Sequence, residues 1–105
     1  DIDDQADAEI LLISFGITAR TSREAVRIAR SHGKKIRFAN VQSLFPIPEK
    51  KLTEAARNVH TVIVAEENMT GQYRSVIQHV FKNIKIIGVN SLGKMITPRD
   101  ILNVM

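Results

Sequence analysis

The chain is expected to fold as an α/β domain, a three-layer α/β/α sandwich around a mostly parallel sheet. Three observations predict it. Short β-prone runs recur along the 105 residues. Each is followed by a stretch whose apolar residues repeat with helical spacing. The first run is nearly continuous in its apolar residues, as a parallel strand covered on both faces should be. Crossover helices require parallel neighbours, and right-handed crossovers stack them on both faces of one sheet.

The elements follow in order. Residues 1–8, DIDDQADA, are acidic and aperiodic and read as a linker remnant, so the domain is assigned to residues 9–105. The absence of an initiator Met marks the chain as an expected piece of a longer protein. Glu9 to Phe15, EILLISF, is the first strand, and Gly16 ends it. Thr21-Ser22-Arg23-Glu24 has the form of a capping box, with Thr21 at the cap. Ala25, Ile28, Ala29 and His32 share a helical face, and Gly33 suits a helix stop. Lys35 to Val41, KIRFANV, alternates and is β-prone, a second strand.

Pro46 and Pro48 stop that strand, and Pro48 suits the first turn of the next helix. Leu52, Ala55, Ala56 and Val59 form its apolar stripe. Thr61 to Ala65 is the third strand. Tyr73, Val76, Ile77, Val80 and Phe81 mark the next helix, and Lys85 to Val89 the fourth strand. After the turn NSLGK, Thr97-Pro98-Arg99-Asp100 opens a short last helix with a second capping-box pattern.

Composition narrows the function classes. Hydrophobic residues at 44% and charged residues at 25% are the balance of a soluble globular domain. There is no cysteine, which excludes disulfides and thiolate catalysis and fits a reducing cytoplasm. No apolar run approaches the ~20 residues of a membrane span, and no signal segment is present. A net charge of +4 with 5% aromatics is weak support for nucleic-acid binding.

The stretch VIVAEENMTGQY, residues 62–73, carries the main site candidate. Its residues Glu66, Glu67, Asn68, Gly71 and Gln72 follow a strand, at the edge where parallel sheets place their function. A catalytic carboxylate pair is disfavoured, because adjacent strand residues point to opposite faces. Two readings stay open. Amides at the following helix start hold an anion or one of the loop's own glutamates, or the loop meets another domain or subunit. A second loop offers Gly16, Thr18 and Thr21, read first as a turn and cap.

Other motifs carry less. GVNSLGKM, Gly88 to Met95, matches a phosphate loop until Met95 replaces the required hydroxyl residue. Arg20, Arg23, Arg27 and Arg30 form a basic stripe, by default a solvated face, and otherwise a docking surface for an acidic protein. His32, His60 and His79 are dispersed, without metal-ligand spacing. No nucleophile elbow is present. The residues therefore yield no catalytic set and no metal site, and favour a binding or assembly module.

Two segments, Leu44-Phe45-Pro46-Ile47-Pro48 and Glu66-Glu67-Asn68 with Gly71-Gln72, bring a family into view. Their order and spacing resemble the C-terminal domain of the alpha subunit of 2-oxoacid:ferredoxin oxidoreductases, the 2-oxoglutarate synthase type especially. The second segment looks like that family's V-E-x-N-x-x-G-Q pattern, with Glu67 at the glutamate position. The resemblance spans about residues 9 to 90 and implies a transketolase C-terminal-like fold. It implies a parent enzyme that converts a 2-oxoacid oxidatively to an acyl-CoA and reduces ferredoxin. That parent uses thiamine diphosphate, magnesium, iron–sulfur clusters and coenzyme A, none bound by this domain alone. The implied partners are the other alpha-subunit domains and the beta and further subunits. The implied role is non-catalytic, in assembly. An extra antiparallel strand of the family is not expected in the acidic start. The rival readings are a small-ligand or nucleotide-binding domain, and the C-terminal domain of another thiamine-dependent enzyme.

Overall fold

A computed structural model describes residues 7–15, 19–41, 49–67, 72–91 and 95–105. Four strands, β1 (Ile10–Phe15), β2 (Ile36–Val41), β3 (Thr61–Glu67) and β4 (Lys85–Ser91), form one sheet in the order β2-β1-β3-β4. Every pairing is parallel. The helices are α1 (Ala19–Ser31), α2 (Glu49–Ala55), α3 (Gln72–Ile77) and α4 (Pro98–Leu102), with a 3-10 turn at Gln78–Val80.

The core is split by the sheet, as period-two alternation requires. Leu11, Ile13, Ala39, Val62 and Val64 pack under α2 and α3 against Leu52, Ala55 and Ile77. Leu12, Ile36, Phe38, Ile63 and Ala65 pack on the opposite face against Ala25, Val26 and Ala29 of α1 and Ile101 of α4. Each fully buried aliphatic side chain contributes roughly 1.5–3 kcal/mol before chain entropy is charged against it. The three-layer α/β/α architecture is the one the sequence predicts.

Several local expectations hold. The end of α1 is a Schellman turn: Gly33 lies at φ +81°, its N–H donates to the Arg30 carbonyl and that of Lys34 to Ala29, each at 3.0 Å. The α4 capping box forms, with the Asp100 N–H donating to Thr97 Oγ1 at 3.3 Å and the Thr97 N–H to Asp100 Oδ2 at 2.9 Å. All three histidines are exposed.

Others are corrected. The Thr21 to Glu24 segment is not a cap, because α1 already begins at Ala19. Thr21 is thus a helix residue and not a loop residue, and Glu24 turns forward to Arg27, one turn on. Ser22 is fully buried in α1, and its hydroxyl has no hydrogen-bond partner among the described residues. Arg37, a charged residue within the second strand, is only 1% exposed, a burial the sequence reading did not address. Both faces of β2 are covered, and Arg37 faces α2. The third and fourth strands each run two residues further than expected, to Glu67 and Ser91. Ala8, placed in the linker remnant, is buried in the core. Pro46 and Pro48 lie outside the described residues.

Candidate functional site

Parallel strands bring all four carboxyl ends to one edge, and there the apolar pattern gives way to polar residues. The register aligns Ser14 with Asn40, Phe15 with Glu66, Glu66 with Asn90 and Glu67 with Ser91. The chain leaves this edge through residues 16–18, 42–48, 68–71 and 92–94, all outside the described residues.

On the α1 face, buried Ser14 donates from Oγ to Asn40 Oδ1 at 2.9 Å. On the α3 face, Glu66 is fully buried, and its Oε2 accepts the backbone N–H of Arg74 at 3.2 Å. That amide lies in the first turn of α3, where no intrahelical acceptor exists. A buried acidic side chain needs donors, and a helix start needs an acceptor, so each satisfies the other. Of the two roles left open for the helix-start amides, this one is filled by the protein's own glutamate. The Arg74 guanidinium reaches over β4: a Cβ built on Gly88 would meet its Nη1 at 2.5 Å and Asn90 Oδ1 at 3.0 Å.

The remaining candidates divide. Glu67 is the last residue of β3 and Gln72 the first of α3. Asn68, Gly71, Gly16 and Thr18 lie outside the described residues. Gly88 belongs to β4, so the apparent phosphate-loop motif opens inside a strand.

Arg20, Arg23, Arg27 and Arg30 are all exposed on α1, away from buried Ala25 and Ala29. Arg27 pairs with Glu24, and Arg30 donates from Nη2 to the Ile36 carbonyl at 2.9 Å. The hydrogen bond from Arg27 holds the Glu24 carboxyl below the ordinary glutamate range, and the charges of Arg27 and Arg20 add to it. Both residues are thereby engaged within the domain.

Sequence reasoning missed three contacts. Buried Arg37 donates from Nη1 to the carbonyl of Ala55, the last residue of α2, where helix carbonyls lack partners. Its only signal was a charge inside a β-prone run. Arg74 over Gly88 had no sequence signal. His79 Nε2 lies 2.8 Å from Glu49 Oε1, joining the 3-10 turn to the start of α2. Their separation of 30 residues hides the pair from any local reading.

Residues 8–101 match the family described as pyruvate:ferredoxin oxidoreductase core domain II. Ketoisovalerate oxidoreductase subunit VorB of Methanothermobacter marburgensis is 36% identical over 97 residues, covering 91% of this chain and 27% of that subunit. The same organism's 2-oxoglutarate synthase subunit KorA is 31% identical over 99 residues, covering 92% and 26%. The chain therefore spans about a quarter of these relatives. Among solved structures, the 2-oxoglutarate:ferredoxin oxidoreductase of Magnetococcus marinus, with 2-oxoglutarate, coenzyme A and succinyl-CoA bound, superposes with a TM-score of 0.84. Its identity is 26%, over 99% of this chain and 18% of that one. A split-gene transketolase shares the fold, with a TM-score of 0.74 at 22% identity over 92% of this chain and 37% of that one.

Proposed function

Because this chain belongs to the pyruvate:ferredoxin oxidoreductase core domain II family, we propose that it is an assembly domain in the alpha subunit of a 2-oxoacid:ferredoxin oxidoreductase. The family match across residues 8–101 carries the proposal. The substrate class is a 2-oxoacid. Within it 2-oxoglutarate is the first choice, since KorA and the Magnetococcus enzyme both carry it in their names. The parent would oxidise it to an acyl-CoA and pass electrons to ferredoxin.

The domain's part is contact with other domains and subunits. Glu67, Asn68, Gly71 and Gln72 are its contact residues at the carboxyl edge, whereas Glu66 is used inside the fold to start α3. Thiamine diphosphate, magnesium, coenzyme A and the iron–sulfur clusters are held elsewhere in the parent. The chain has no cysteine to ligate a cluster. The nucleotide-binding rival loses support, because an amide at the α3 start is taken by Glu66 and Gly88 lies in a strand.

The test uses the intact complex carrying Glu67→Ala and Asn68→Ala. Subunit association is followed by size-exclusion chromatography, and ferredoxin reduction is measured with 2-oxoglutarate, pyruvate and ketoisovalerate. Association or turnover should fall while the domain stays folded. Wild-type values for both would sink the contact assignment, and a preference for another 2-oxoacid would sink the substrate choice.

A further inference from the structure

The last turn of α1 and the end of α4 frame an open concavity of about 320 Å³. Ile28, Ala29, Leu102 and Met105 give it an apolar lining, and His32 and Lys34 complete it. Ile28, Leu102 and Met105 are each only partly buried, so the packing of α1 on α4 leaves apolar surface open here. This is the amino edge of the sheet, since Lys35 leads directly into β2 and Ile36 pairs with Ile10 at the start of β1.

The side-chain charge at this site has one sign. Arg30 donates to the Ile36 carbonyl, and Lys35 pairs with Asp7 at 3.4 Å. The Lys34 ammonium has no partner among the described residues. His32 Nδ1 lies 2.9 Å from the Ile28 carbonyl, and because a carbonyl only accepts, Nδ1 carries a proton. Nε2 is then left for another group. The negative end of the α1 dipole, roughly half a charge, lies here too, and Arg30, Lys34 and Lys35 outweigh it.

The chain enters the domain beside this site, because the Lys35 that holds Asp7 is the next residue after Lys34. The segment before Asp7, DIDDQA, carries three carboxylates around one large apolar residue, Ile2. The five residues from Asp7 back to Ile2 reach up to ~17 Å. We propose that residues 1–6 fold back onto the concavity, with Ile2 seated against Leu102 and Met105 and Asp3 or Asp4 paired with Lys34 and His32. Both halves of the match are written in the residues: an apolar side chain for an apolar lining, and flanking acids for flanking cations. The Asp7 anchor makes the docking intramolecular, so only a short loop has to be ordered. The chain's path into the domain is thereby strapped to the amino edge, opposite the Glu66 and Glu67 edge.

The test is zero-length carbodiimide coupling of the intact protein, with each isopeptide link located by tandem mass spectrometry. The Lys35–Asp7 link calibrates the yield, because that pair is already in contact. Lys34 should couple to Asp3 or Asp4 of its own chain. Ile2→Ala should lower that yield several-fold and leave the Lys35–Asp7 link unchanged. Hydroxyl-radical footprinting reads the apolar half separately: Ile2→Asp should raise the labelling of Met105 and Leu102 several-fold. A Lys35–Asp7 link with none from Lys34 to residues 1–4 overturns the inference, and so does the absence of both links. Links from Lys34 to another polypeptide, or between isotope-labelled and unlabelled copies of this chain, give the concavity to a different occupant and overturn it too. Unchanged Met105 and Leu102 labelling in Ile2→Asp overturns the seat given to Ile2. Each of these results leaves the assembly reading standing.

Discussion

The guanidinium of Arg74 lies directly against the backbone of Gly88, leaving no room for a side chain there. A Cβ at that position would sit 2.5 Å from Nη1 and 2.9 Å from Cζ. Helix α3 and strand β4 thus meet through a cation resting on a glycine, beside the buried Glu66 that holds the Arg74 amide.

Gly88→Ala is expected to destabilise the fold by about 1 kcal/mol, the low end for overpacking, since the obstructing atoms end a flexible side chain. With Arg74→Ala as the second mutation the two shortest contacts are gone and Asn90 Oδ1 at 3.0 Å remains, so the alanine should become close to neutral, its residual crowding offset by up to ~0.5 kcal/mol of reduced backbone entropy. A double-mutant cycle in urea reads the coupling. Equal effects in both backgrounds would mean that Arg74 does not restrict the site.

Glu66→Ala should cost about 2 kcal/mol, because it strands a helix-start amide in a buried site. Glu66→Gln keeps an acceptor oxygen and should lose about half as much or less. Urea unfolding of the two variants checks the order. If both lose equally, the hydrogen bond to the Arg74 N–H is not what Glu66 contributes.

Arg37→Met should destabilise by roughly 1–3 kcal/mol, as the Ala55 carbonyl loses its donor inside the core. Arg37→Lys retains a donor on a shorter, less directed stem and should fall between Met and wild type. Thermal unfolding ranks the three. A Met variant as stable as wild type would show that apolar packing alone suffices at this position.

Arg27→Ala should raise the pKa of Glu24 toward the ordinary glutamate value, since the hydrogen bond from Arg27 is the largest cause lowering it. Because the folded pKa is depressed, the pair's contribution is present at neutral pH. It is lost as pH falls through the depressed pKa. Salt should weaken it, as expected for an exposed pair. NMR titration of the Glu24 carboxyl in both proteins reads the shift, and an unchanged midpoint would reject the pairing.

Which elements exist was legible because periodicity is local. The runs at Ile10 and Thr61, the stripe at Leu52 and the cap at Thr97 each declare themselves within a few residues. Their ends were less legible. Glu66 and Glu67 looked like loop residues because a carboxyl group seldom ends a buried strand. The Arg74 amide, eight residues on, helps make Glu66 tolerable there. Thr21 to Glu24 matched a cap pattern, yet α1 had already begun, and the same spacing serves an Arg27 pair equally well.

The sequence by itself determined the alternation of strand and helix, hence a parallel sheet with its polar ends gathered at one edge, and the family that these motifs bring to mind. Tertiary structure alone decided which polar groups that fold consumes. Arg37 is drawn inward by a helix end 18 residues away. Glu66 is claimed by the start of α3, and Gly88 is pressed by Arg74. The reason is physical: hydrophobic periodicity is written in neighbouring residues, whereas a buried donor and its acceptor need share no local pattern. They meet only when packing brings their elements together, and burial then requires the pairing.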